Sequence, residues 1–254
     1  KLSCTTADTS IAADELLSLQ QRIEGQNLQM FAKGTTSAKP YAVSFYVKGN
    51  ASATYTCELE DGDNSRRVAK EFSVTTDWVR VELSFPKDTT GAFDDDNALS
   101  LSLNIFLHGG SNFTSGTFSA NTWESISNTT RLSDSQTSFF DSTDRTFFIT
   151  GIQLEVGQNP TEFEHEPHER TEMKCYRYFY KATTYTLSMA NASTTGYTFR
   201  QERTQQHSMP VRMRNSPTFT AVESIKLLSS GSVTLNGAVD RITIVPSAYA
   251  GDLP

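Results

Sequence analysis

The sequence predicts an all-β protein, a jelly-roll β-sandwich followed by a smaller β-rich domain. Three observations carry that expectation. Short segments alternate apolar and polar residues with period two, clusters of turn residues separate them, and the chain has no heptads, internal repeats or low-complexity tail. Composition agrees: hydrophobic residues make up 37% of the 254, aromatics 11%, and Ser, Thr and Asn are abundant. That mixture suits two-sided sheets with long polar loops better than helices. The length suffices for one large β domain or two smaller ones.

Taken in order, residues 1–15 are polar, with one short helical turn expected at Ala12–Leu17. Strands follow from Leu19 onward. Tyr41, Val43, Phe45 and Val47 share one face of a strand over 41–48. A Gly-Asn turn leads into Ala53–Leu59, and the polar EDGDNS turn into Arg67–Val74. Trp78, Arg80, Glu82 and Ser84 alternate with Val79, Val81, Leu83 and Phe85, and Pro86 stops that strand. Leu99, Leu101, Leu103, Ile105 and Leu107 then line one face of the next. The span 108–145 is too long for a structureless loop in a compact domain, so it reads as one or two irregular strands with functional loops. Phe148, Thr150, Ile152, Leu154 and Val156 alternate with Phe147, Ile149, Gly151, Gln153 and Glu155, ending at Gly157 and Pro160. These signals place a jelly roll over 1–157 and a connector over 158–172, rich in Glu, His and Pro. A small β-rich C-terminal domain is expected over 173–254. It opens on a strand Tyr176–Tyr185, with later strands near Phe199, Val211, Phe219, Val233 and Ile242–Val245.

Charge and cysteine content narrow the function classes. A net charge of −7 disfavours direct nucleic-acid binding, which needs a basic footprint. The three cysteines, Cys4, Cys57 and Cys175, form no C-x-x-C pair and read as reduced thiols of a protein folded in a bacterial cytoplasm. No apolar run approaches the ~18 residues of a membrane span, so no membrane insertion is expected. Residues 1–30 lack a signal-peptide core, and a start at Lys1 rather than Met reads as a fragment or processed product.

Catalytic vocabulary is sparse. The EHEPHE run holds His165 and His168 three apart, whereas a helical zinc pair sits four apart, and Pro167 interrupts any helix. It reads as a solvated connector, with no metal site. The acidic stretches Glu58, Glu60, Asp61, Asp63 and Asp94–Asp96 offer oxygen ligands but lack the calcium-loop pattern, so polar turns are the main reading. No G-x-S-x-G, P-loop or dinucleotide fingerprint occurs. The chain therefore reads as a non-enzyme without a cofactor.

Aromatic residues are the functional candidates, because sugars stack apolar C–H faces on rings while polar side chains bond their hydroxyls. Trp123, in the polar NTWES segment, is the leading candidate, with Phe113 and Asn112 in HGGSNF beside it. Tyr46 and Tyr55 are added as candidates on one shared face. Trp78 opens a regular strand and is expected to be buried. Tyr176, Arg177, Tyr178 and Tyr180 fit either core packing or a subunit contact, since Tyr and Arg are enriched at interface cores.

Several motifs carry a resemblance. ITGIQLEVG (149–157), FEHEPHERTEMKCYRYFYK (163–181) and MPVRMRNSPTF (209–219) are preceded in order by SLQQRIEG (18–25), YAVSFYVKG (41–49) and TTDWVRVELSF (75–85). Together they resemble an architecture that recurs in bacteriophage tail-fibre and other virion proteins, over roughly Leu16–Phe219. In that architecture a carbohydrate-binding-module-like jelly roll precedes a small β-rich unit. The resemblance implies a virion protein assembled in the bacterial host cytoplasm, contacting other virion proteins and associating as a homo-oligomer, with a trimer favoured. It implies host-surface glycan binding on the concave sheet face or at the loop edge, a core-type tryptophan at Trp78, and a raised expectation of structural calcium. A purely structural decoration or fibre-assembly protein is the first alternative. The accessory carbohydrate-binding domain of a polysaccharide-degrading enzyme is the second.

Overall fold

The computed structural model describes residues 1–180, 205–208, 210–215, 233–238 and 241–246. The chain divides into two compact units, Lys1–Glu164 and His165–Pro254.

Unit 1 is an all-β sandwich of two antiparallel sheets. Its strands are β1 (Leu2–Ser3), β2 (Leu16–Glu24), β3 (Tyr41–Gly49), β4 (Ala53–Asp61), β5 (Arg66–Val74), β6 (Val79–Phe85), β7 (Leu99–Gly109), β8 (Glu124–Ser125) and β9 (Thr146–Val156). One sheet runs β1-β9-β3-β6 and the other β2-β7-β4-β5-β8, a jelly-roll-like interleaving in which, apart from the β4–β5 hairpin, neighbouring strands are not consecutive in sequence. Period-two alternation decides which side chains enter the space between the sheets. Tyr41, Val43, Phe45 and Val47 enter from β3, and Tyr55, Cys57 and Leu59 from β4. Val81, Leu83 and Phe85 meet them from β6, and Leu101, Leu103, Ile105 and Leu107 from β7. The Ala12–Leu17 helical turn is not formed. A tight turn at Ala13–Asp14 feeds directly into β2, whose Leu16 and Leu17 already pair with Gly109 and His108.

One irregularity shapes the outer face of the four-stranded sheet. The β3–β9 register shifts between Ser44 and Tyr46, placing an extra residue at Gly151–Ile152. Gly151 has φ +60, and a Cβ there would lie 3.2 Å from the Tyr46 ring, so both backbone and space favour glycine. Beyond the bulge the chain folds back. Thr161, Glu162 and Glu164 bond Gln153, Glu155 and Arg80, strapping the far end of this face and burying Ala42 and Ser44 beneath it. The first part of the expected connector is thus packed against the sandwich.

Unit 2 corrects one expectation. Residues His168–Tyr176 form a helix, α2, not the start of a strand at Tyr176. The rings of Tyr176 and Tyr180 meet edge to face at 5.3 Å, and the Tyr176 hydroxyl donates to Glu172 at 2.6 Å, both i,i+4 contacts. Pro167, expected to interrupt a helix, stands at the N-cap position, where its missing N–H costs nothing. The segment 210–215 joins the end of α2, with Arg214 N–H donating to Arg177 O at 2.9 Å. Val211 lies in this segment and not in a strand. A small antiparallel sheet contains Gln205–Ser208 (β10), Val233–Ala238 (β11) and Arg241–Pro246 (β12), in the order β10-β12-β11. The expected strands near Val233 and Ile242–Val245 are therefore present. Residues 181–185, Phe199 and Phe219 lie outside the described residues.

Candidate functional site

The outer face of the five-stranded sheet is polar in sequence yet buried. Thr56 and Glu58 of β4, Arg67 of β5, and Ser102, Asn104 and His108 of β7 point away from the core, and the 108–145 segment lies over them. Backbone bonds fix this cover: Asn121 N–H to Ala69 O at 2.8 Å, Thr137 N–H to Thr54 O at 2.9 Å, Phe139 N–H to Leu107 O at 2.9 Å. Side chains seal it. Arg131 donates to Glu58 from Nε at 3.1 Å and Nη2 at 2.7 Å. Arg67 Nη2 reaches Glu124 at 2.6 Å, and Asn104 donates to Glu58 at 3.0 Å. The region read as functional loops is a lid fastened by charge over the five-stranded sheet.

At one end of the sandwich the Lys33 ammonium is enclosed by oxygen. Asp61 lies at 2.6 Å, Asp88 at 3.2 Å, and the carbonyls of Thr90 and Gly91 both at 2.8 Å. Phe93 and Trp123 rings stand 5.3 and 5.5 Å from the nitrogen. Burial pushes Asp88 up, but the Arg66 hydrogen bond, the Thr90 N–H and the Lys33 charge outweigh it and hold the carboxyl below its usual value. The acidic turns considered for calcium are engaged by the chain itself. Asp61 takes Lys33 and Asn64, Asp63 accepts the Asp94 N–H at 3.0 Å, and Asp96 accepts the Ala98 N–H at 2.8 Å. No group of His, Cys, Asp and Glu able to hold a metal occurs among the described residues.

The uncovered end of the four-stranded sheet carries the open aromatic surface. Strand pairing sets Lys48 of β3 opposite Phe148 of β9, and Trp78, one residue before β6, and Lys1, one residue before β1, continue that row on either side. Trp78 is 48% exposed, and its ring meets Phe148 edge to face at 6.2 Å. The Lys48 ammonium sits 5.3 Å from Trp78 and 5.0 Å from Phe148, and Lys1 stands 5.5 Å from Phe148. Tyr46 lies in the next row between Arg80 and Thr150. Arg80 is engaged by Glu82 at 2.7 Å and by the Thr161 carbonyl.

The residues singled out in the sequence fall in separate places. Trp123 is half-buried against the core, its N–H donating to Pro86 O at 2.7 Å and its ring tilted on Tyr41 at 5.6 Å. It roofs the Lys33 cage. Tyr55 is a core residue, 1% exposed, and burial pushes its phenol up to about 12. It belongs to the inner face of the five-stranded sheet, whereas Tyr46 is on the outer face of the other, so the two share no face. Asn112 and Phe113 occupy a single turn of helix, α1 (Ser111–Thr114), within the lid. Trp78 reverses its expected burial. It stands one residue before β6 in the outward set with Arg80 and Glu82, at a sheet edge. Lys48 and Phe148 were missed, although their alternation with Val47 and Phe147 marked them as outward. In unit 2, Tyr178 is 55% exposed and Phe179 70%, while Tyr176, Arg177 and Tyr180 are half-buried. Cys4 and Cys57 are buried, Cys175 is exposed, and all three are free thiols.

The class that the fold defines is a two-sheet antiparallel β-sandwich, jelly-roll-like in its strand order. Comparison with protein-family models, with curated proteins and with solved structures found no match.

Proposed function

We propose that this chain is a non-enzymatic bacteriophage virion component, a tail fibre or head fibre, that binds host-surface glycans through the open row of the four-stranded sheet. One observation carries the binding surface: Trp78, 48% exposed, stands edge to face with the half-buried Phe148, whereas no ring of the 108–145 lid is exposed to that degree. Exposed rings beside cationic donors suit the two faces of a saccharide. The virion assignment rests on the sequence motifs that resemble fibre proteins. In this reading the protein is assembled in the host cytoplasm.

Trp78→Ala should weaken retention on a bacterial glycan array by up to about tenfold, the worth of one ring contact. Because half of that side chain is already in water, the melting free energy should change by less than about 1 kcal/mol. Unchanged retention with this variant would remove the row from consideration.

Tyr178 and Phe179 favour assembly as the companion role, since large exposed rings in a small unit suit a subunit contact. Trimers would compensate for weak single sites through avidity. Light scattering at micromolar concentration should give the mass of a trimer; a monomer would contradict it.

A further inference from the structure

We infer that the ligand of the Trp78–Phe148 row is an acidic oligosaccharide, with its carboxylate on Lys48 and Lys1 and its apolar ring faces on the two aromatics. This rests on the glycan-binding reading above and names the ligand class.

The row alternates ring, ammonium, ring, ammonium, and strand spacing makes it about 14 Å long, so it suits an oligosaccharide better than a single ring. Its donors are two ammonium groups and the Trp78 indole N–H. A neutral sugar needs acceptors as well as donors for its hydroxyls, and the four side chains of the row supply none; the flanking hydroxyls belong to Tyr46 and Thr150 on one side and to Thr146 and Ser3 on the other. The protein carries a net charge of −7, and Lys33, Arg66, Arg67, Arg80, Arg131 and Arg145 each have an acidic partner. Lys48 and Lys1 have none among the described residues, as is also true of Arg22, Lys39, Lys70 and Lys87, but these two alone stand together against the Trp78 and Phe148 rings. Ring contacts leave the outer hemisphere of each ammonium available to an anion. Clustering two unpaired cations on one aromatic row of an acidic chain gives local charge complementarity to a uronate-type ligand and steers it to this face.

The test uses the full chain and a panel of uronate-containing bacterial capsular oligosaccharides, each paired with its carboxyl-reduced neutral counterpart. Retention should fall about tenfold or more on carboxyl reduction, and equally in Lys48→Gln, as expected for losing one charge-assisted bond. Lys48→Arg should restore binding, and added salt should weaken it. Equal binding of acidic and reduced forms, indifferent to Lys48→Gln, would overturn the acidic-ligand inference and leave glycan binding standing. A Lys48→Gln loss that is the same for both forms would also overturn it, because Lys48 would then serve hydroxyls. No retention of any glycan by folded protein would overturn the glycan-binding reading itself. Lys48 is a surface residue, so an unchanged melting curve separates these outcomes from misfolding.

Discussion

Lys33→Met should destabilise unit 1 by about 3–5 kcal/mol, the usual cost of removing one partner from a buried ion cluster. The change removes an ammonium with a fully buried side chain from Asp61, Asp88 and two carbonyls and replaces it with an apolar chain of similar length. Asp61 is left buried with Asn64 alone, whereas Asp88 keeps Arg66 at 2.7 Å. For a unit of this size the melting temperature should drop by roughly 10 °C. Adding Asp61→Asn should recover part of the loss, because the stranded charge is then gone. The acid limb supplies a second readout. Asp88 titrates below its unfolded value, so its contribution is present above about pH 4 and is lost as pH falls through the lower folded value. Wild-type protein should show that acid loss more strongly than the Lys33 variant. A Lys33→Met protein as stable as wild type would mean that the cage is not a structural tie.

Arg67→Met should cost a similar amount, about 3–5 kcal/mol, through a different segment. Arg67 is buried on the outer face of β5 and reaches Glu58, Glu124 and the hydroxyl and carbonyl of Thr130. Its removal unpins the lid and leaves Glu58, itself fully buried, dependent on Arg131 and Asn104. Denaturant unfolding measures the loss, and amide exchange over 120–139 locates it. Exchange should rise there first, because those amides bond across the covered face. Uniform acceleration across β3 and β7 as well would instead place Arg67 in the global stability of the sandwich.

Much of this architecture is legible in the chain. Alternation alone assigns β3, β6, β7 and β9, because a sheet with one buried face must place its apolar set on every second residue. The same alternation put Trp78 beside Arg80 and Glu82 in the outward set; the habit of burying tryptophan and the core-type tryptophan implied by the fibre-protein resemblance argued otherwise, and the pattern was the better guide. Trp123 shows the opposite limit. Its neighbours are polar, but the Pro86 carbonyl and the Tyr41 ring that hold it come from distant strands, which no local pattern reveals. The cluster of Glu58, Arg67 and Arg131 was not foreseen because its partners lie 9 to 73 residues apart. The helix α2 was misread because Tyr176, Tyr178 and Tyr180 also fit period two over so short a run, and the i,i+4 pairing of Tyr176 with Glu172 and Tyr180 decided it. The row Trp78, Lys48, Phe148, Lys1 needed register, since it exists only once four strands are aligned.

The most direct test follows from there being just two tryptophans, Trp78 and Trp123. A Trp123→Phe protein, in which Trp78 is the sole tryptophan, should show a blue-shifted, saturable emission change on titration with the bound oligosaccharide. The reciprocal Trp78→Phe protein should stay silent, its remaining tryptophan roofing Lys33 away from the row. A response from Trp123 with silence from Trp78 would contradict the account and return the binding site to the 108–145 segment.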